Sequence, residues 1–219
     1  MHKLTLLAAA SFAAMAVPAS ATIQISDKQQ VSNGQTIQFP VQPDGTSVTG
    51  LTNKTSTSVT FSTLTGQTLT TPSKGQARIE AVGDDGQIPL DSMLIQLTDM
   101  ASFGYIEFNL FGGNITDSTS VTINALDQFG NPFQIVHSLG NGENFFSAIG
   151  LDGESIKSIW FNTQPGGVND LRQVRINTAT NLVPDVPEPA TWAMMLFGFG
   201  AAGIAMRRSR RKAPLAQVA

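Results

Sequence analysis

The chain has 219 residues, no cysteine and a formal charge of −3, and charged residues make up only 13% of it. The charge is unevenly placed: Thr22 to Pro189 holds seven basic and sixteen acidic residues, whereas the stretch from Ala190 onward holds five cations and no acid. An acidic body excludes a basic nucleic-acid footprint there, an ordinary apolar content of 41% argues against disorder, and the lack of cysteine removes disulfides, thiol catalysis and Cys-ligated metals.

The N-terminus reads Met1-His2-Lys3, then an uncharged Ala/Leu-rich run from Leu4 to Ala16, then Val17-Pro18-Ala19-Ser20-Ala21. A basic start, an apolar stretch and an Ala-x-Ala arrangement predict a secretory signal peptide over residues 1–21, with Ala19 and Ala21 setting cleavage after Ala21. Residues 22–183 form the predicted ectodomain. Short β-rich runs at 36–41, 58–61, 77–82, 93–97, 105–110, 120–125, 133–136, 155–161 and 174–176 are separated by Gly, Asn and Asp. Several alternate apolar with polar, as half-buried antiparallel strands do. No segment sustains a helical period and no fixed repeat length is present. The expectation is therefore an all-β chain with a single antiparallel β-sandwich of jelly-roll type.

Within that body the chemistry is sparse. With the signal peptide removed, His137 is the only histidine; it lies in a β-like run, and no Gly-x-Ser-x-Gly sequence accompanies it. Asp84-Asp85-Gly86 and Asp152-Gly153-Glu154 read as turns, with oxygen donation to Ca²⁺ as the alternative. Residues 46–71 contain 11 Thr and 4 Ser, with Thr55, Thr57 and the stretch Ser62 to Thr65 in partly alternating arrays that suit a hydroxyl-rich sheet face. Glycoside hydrolysis needs only two carboxylates, so a glycan-active hydrolase is the alternative to a binding or structural protein.

At the C-terminal end come Pro187-Glu188-Pro189, an uncharged run from Ala190 to Met206 with Trp192 near its start, and a basic cluster from Arg207 to Lys212. The two prolines disfavour helix and hold Glu188 extended. A 17-residue helix spans roughly 25 Å, enough to cross a bilayer with Trp192 at one interface and snorkelling arginines at the other. The positive-inside rule places Arg207 and Arg208 in the cytoplasm and the acidic body outside. Residues 184–212 resemble the PEP-CTERM sorting signal: motif 187–189, membrane helix 190–206, basic stop 207–212, leaving a tail at 213–219.

That resemblance implies recognition by an exosortase-type membrane protease, a single-pass intermediate in the inner membrane, cleavage near the PEP tripeptide, and delivery to the cell surface or outside. Such proteins are typically associated with exopolysaccharide and biofilm matrix; similar tails are also labelled ice-binding protein C-terminal domains. A second resemblance covers Leu139 to Phe146, Gly153 to Phe161 and Asp170 to Ile176, which are similar to the closing strands of carbohydrate-binding sandwiches. It implies a glycan contact at Trp160, for which core packing is the alternative, and a structural calcium ligand at Asp170; no other cofactor is expected. The function expected is a non-enzymatic, exopolysaccharide-associated surface protein, with a hydrolase or an ice-binding or adhesive module as alternatives.

Overall fold

The computed structural model describes residues 22–29, 34–72, 75–76, 78–113, 118–163 and 165–178, together with Phe199 and Arg207, both exposed and helical. The body is all-β. Its first strands are Thr22–Ser26 (β1), Gln35–Phe39 (β2), Ser47–Thr52 (β3), Ser58–Ser62 (β4) and Thr68–Thr70 (β5). Next come Gly75–Gln76 (β6), Arg78–Gly83 (β7), Gly86–Ile88 (β8), Ser92–Leu97 (β9) and Phe103–Gly112 (β10). The last are Ser120–Asp127 (β11), Pro132–Ser138 (β12), Gly142–Leu151 (β13), Ile156–Asn162 (β14) and Asp170–Thr178 (β15).

Side-chain alternation explains most of these. In β4 the sequence Ser-Val-Thr-Phe-Ser buries Val59 and Phe61 and turns its hydroxyls outward. In β11, Val121, Ile123 and Ala125 point inward between part-exposed polar neighbours. Turn chemistry ends the strands where expected. Gly83 pairs with Gly86 across Asp84-Asp85. Between β13 and β14, Asp152 and Gly153 both have positive φ (52° and 86°), and the Glu154 amide donates to the Leu151 carbonyl at 3.0 Å. Two positive φ values define the type I′ turn, which Asp-Gly adopts readily.

The pairings are antiparallel throughout, and seven strands close a ring in the order β10, β14, β9, β4, β3, β2, β15 and back to β10. Phe103 completes it, standing opposite both Ile156 of β14 and Thr178 of β15. The body is thus a seven-stranded antiparallel barrel with strands added at its sides: β11 and β12 continue from β14, β13 and β1 from β10, and β7, β5 and β8 from β15. Inside lies one core. Phe108 packs against Phe161 and Phe146 with ring centroids 6.3 and 6.0 Å apart, and Phe39 meets Phe61 edge-on at 5.4 Å. Each such buried ring contributes roughly 1.5–3 kcal/mol of transfer free energy.

Among the described residues no helix is long and apolar enough to cross a membrane. The expected span 190–206 lies, Phe199 apart, outside the described residues. So do residues 1–21 with Ala19 and Ala21, and so do Pro187, Glu188, Pro189, Trp192 and Arg208.

Candidate functional site

Alternation in β14 sends Ile159 and Phe161 into the core, at 1% and 0% exposure, so Trp160 between them faces the other way and is half-buried. The register then fixes its surroundings. Leu94 of β9 and Asn124 of β11 lie directly opposite Trp160 on its two sides. Gln134 stands beyond Asn124, and Ser62 and Ser47 continue the row past Leu94. One flanking row reads Thr49, Thr60, Gln96, Ser158 and Leu126, and the other Ser92, Asn162, Thr122 and Val136. None of these side chains is charged; the nearest charge along β14 is the exposed Lys157, three residues from Trp160. Gln134 Nε2 donates to Asn124 Oδ1 at 2.8 Å. That bond aligns two amides beside the indole, with the Asn124 Nδ2 donor and the Gln134 Oε1 acceptor left to engage a ligand. An apolar ring flanked by neutral donors and acceptors is chemically a platform for a hydroxyl-rich, uncharged molecule.

The Thr-rich stretch divides into three parts with different roles. Thr55 and Thr57 do not belong to a sheet face: the Thr55 amide and hydroxyl both donate to Gln35 Oε1 at 3.0 Å, and the Thr57 amide donates to Thr52 Oγ1 at 2.8 Å. These bonds lock the turn between β3 and β4, where Ser56 takes φ 54°. Thr63 and Thr65 lie in the loop after β4, and the Thr65 hydroxyl donates to Asp91 Oδ1 at 2.7 Å. Only Ser58, Thr60 and Ser62 of this segment present hydroxyls from β4 itself. Ser58 and Thr60 share hydrogen bonds with Thr98 at 2.9 and 2.8 Å, and Ser62 donates to Ser47 at 3.1 Å.

Asp170 falls elsewhere, in a charged layer on β10, β15 and β7. It is 0% exposed, and its carboxylate accepts from Arg172 Nε at 2.5 Å, from Arg172 Nη2, and from Asn169 Nδ2 at 3.0 Å. Arg78 Nε stands 3.6 Å away, and Arg78 also pairs with Glu80. Burial pushes the Glu80 carboxyl above the ordinary carboxylate range against the opposing pull of Arg78. The Arg172 guanidinium lies 3.7 Å over the Phe111 ring. A few residues along β10, Glu107 is 1% exposed; it accepts from Gln29 Nε2 at 3.0 Å, from Arg175 Nη1 at 3.1 Å and from the Tyr105 hydroxyl at 2.8 Å. Both arginines reach this layer because Gln173, with φ 56°, inserts a bulge: Glu107 pairs with Arg175 but Asn109 with Arg172.

The other titratable groups are placed by packing. His137 meets the Phe146 ring edge-on at 5.7 Å, and its Nε2 is 3.5 Å from Asp27 Oδ2. Asp127 and Glu154, 1% and 3% exposed, face each other between two end turns. Asp127 Oδ1 accepts from the Phe129 and Asn131 amides at 2.8 and 2.7 Å, and its Oδ2 from Asn131 Nδ2 at 2.6 Å. Burial pushes Asp127 up, but its bonds from Asn131, Phe129 and Glu154 outweigh this and hold it below the usual range. Glu154 is pushed up by burial, by the charge of Asp127 and by its hydrogen bond to Asp127. Both shifts favour the protonated form of Glu154 over that of Asp127. Among the described residues no three His, Asp or Glu side chains gather as metal ligands.

Sequence reasoning singled out Trp160 as a glycan contact and Asp170 as a calcium ligand, and did not single out Glu107 or the Asp127–Glu154 pair. The x-Glu-x alternation of β10 was the available signal for Glu107. For the carboxyl pair there was none, since it joins turns 27 residues apart.

Searches of curated proteins and of solved structures give no match. Residues 185–211 match the PEP-CTERM protein-sorting motif. Three features of that segment account for the match: the Pro-Glu-Pro tripeptide, the uncharged run and the terminal arginines. The chain therefore carries the PEP-CTERM protein-sorting motif, which implies an exported protein sorted by exosortase.

Proposed function

We propose that this chain is a non-enzymatic protein of the cell surface or extracellular matrix that binds or organises exopolysaccharide. The observation that carries the reading is the placement of Trp160: it stands on the outward side of β14 between Leu94 and Asn124, ringed by neutral amides and hydroxyls. The sorting motif supplies the route. A signal peptide over residues 1–21, cleaved after Ala21, directs export. The span 190–206 then holds a single-pass intermediate with Arg207 and Arg208 in the cytoplasm until exosortase cuts near Pro187-Glu188-Pro189. The strand order also supports the jelly-roll reading. The run β3-β4-β9-β14-β11-β12 makes one broad face, and β1-β13-β10-β15-β7-β5 makes the other.

The carboxyl pair Asp127 and Glu154 does not suit hydrolysis. Glycosidases hold two carboxyls roughly 5–9.5 Å apart around an open sugar site. Asp127 and Glu154 are instead in mutual hydrogen-bond contact and closed to solvent. The test is a pull-down of the exported protein on matrix polysaccharide from its own host, assayed in parallel for reducing-sugar release. Retention without sugar release, reduced by Trp160→Ala, is the expected result. Sugar release that survives purification would replace the reading by the hydrolase, and Pro187→Ala with Glu188→Ala should leave the protein unprocessed in the host.

A further inference from the structure

We infer that the Trp160 face takes an uncharged polysaccharide, laid across the strands along the row Leu94, Trp160, Asn124 and Gln134. This inference rests on the glycan-binding reading above and names the class of glycan. Its basis is where the charges are. The body from Thr22 to Pro189 carries sixteen acids and seven bases, yet the three rows that run through and beside Trp160 carry neither. Arg78, Arg172 and Arg175 are committed on β7 and β15 to Glu80, Asp170 and Glu107. A glycan bearing carboxylates or sulfates would be repelled by the body and would find no arginine fork on this face. An uncharged chain needs only an apolar platform and neutral hydrogen-bonding groups.

The row provides both. Strands lie about 4.8 Å apart, so the step from Leu94 on β9 to Gln134 on β12 spans about 14 Å, long enough to follow a short run of sugar rings rather than a single one. Within it the half-buried indole of Trp160 is the aromatic surface on which sugar C–H groups would pack. The amide pair of Asn124 and Gln134, joined at 2.8 Å, offers one donor group and one acceptor group to ring hydroxyls.

The experiment is affinity electrophoresis of the exported protein through gels holding either an uncharged β-glucan or galactomannan, or anionic alginate or pectate, each at low and high salt. The expected result is retardation in the uncharged gels, insensitive to salt. Trp160→Ala should weaken it about tenfold, equivalent to about 1.4 kcal/mol. Gln134→Ala, at an exposed position that does not support the core, should weaken it severalfold, and Lys157→Ala should not change it. Unaltered melting of Trp160→Ala and Gln134→Ala separates lost binding from lost folding. Retardation confined to the anionic gels and abolished by salt would overturn the uncharged class while sparing the glycan-binding reading. Absence of retardation in every gel, or retardation indifferent to both Trp160→Ala and Gln134→Ala, would overturn both.

Discussion

Replacing Glu154 by Gln should stabilise the protein at mildly alkaline pH and leave it unchanged in acid. Burial, the charge of Asp127 and the hydrogen bond given to Asp127 all keep the proton on Glu154, so its folded carboxyl titrates above the ordinary 4.5. The stability it contributes is complete below 4.5 and is lost as pH rises through the raised value. Asp127 has the opposite linkage: its contribution is complete above 3.8 and is lost as pH falls through its lowered value. A glutamine at 154 keeps a donor aimed at Asp127 and never ionises, so it removes the alkaline loss alone. The unmade hydrogen bond and the clash of charges would cost about 1–3 kcal/mol in a deep interior. The lower end of that range, about 1 kcal/mol, is the minimum expected for this buried pair. For a domain of this size that is a rise of about 2–4 °C in melting temperature. Circular dichroism melts at about pH 4 and about pH 8 provide the assay. If wild type and Glu154→Gln melt together at about pH 8, or if the variant melts lower there, the two carboxyls do not share a proton.

Two further substitutions test the packing. Asp170→Ala removes the carboxylate that Arg172 bonds, while Arg78 keeps Glu80, and breaking such a buried pair costs about 3–5 kcal/mol. Because the Arg172 and Arg78 side chains keep 26% and 42% exposure, we expect the smaller loss of about 2 kcal/mol, read as a lower urea midpoint. The same melts address calcium: with the arginines as partners of Asp170, EDTA and added Ca²⁺ leave the wild-type midpoint in place. A Ca²⁺-dependent rise that Asp170→Ala abolishes would instead make it a calcium ligand. Gly50→Ala places a Cβ into Ile37 Cγ2 and 3.0 Å from the Phe39 ring, an overpacking that should cost about 1–3 kcal/mol, and a wild-type midpoint would refute it.

All nine runs of strand-forming sequence lie on observed strands because each pairs an alternating face with turn residues at its ends. Strand β3 escaped notice for a physical reason. Its Ser-Val-Thr-Gly-Leu-Thr sequence has a glycine at a core position, where the space is filled by Ile37 and Phe39 from the neighbouring β2. Alternation marked strand β15 only at 174–176, although the resemblance covered Asp170 to Ile176, because the Gln173 bulge breaks its period. Alternation read across it would place Arg172 and Arg175 on opposite faces, whereas the structure puts both beside buried acids. Trp160 could be singled out as an aromatic, but its facing direction depends on β14 lying between β9 and β11, and that pairing joins segments more than 30 residues apart. The Thr array illustrates the converse. Composition suggested one surface, but Thr55 and Thr57 sit in a turn where Gln35, 20 residues earlier in the chain, takes up the hydroxyl and amide of Thr55.

The two sides of the barrel are built on different physical terms. On β10, β15 and β7 the acids Glu107, Asp170 and Glu80 are closed to solvent, and each has an arginine partner; Arg172 also stacks on Phe111. Such pairs contribute little net stability against apolar replacements, but they make any slippage of register expensive, since a one-residue shift would leave buried charges unpaired. On the rows through and beside Trp160 the side chains are neutral, so exchanging water for a ligand there strips no ion of its hydration. A protein that must hold its shape outside the cell without disulfides gains from the first arrangement. On the binding reading proposed above, contacts on this face would be little affected by salt, because neutral contacts are not screened.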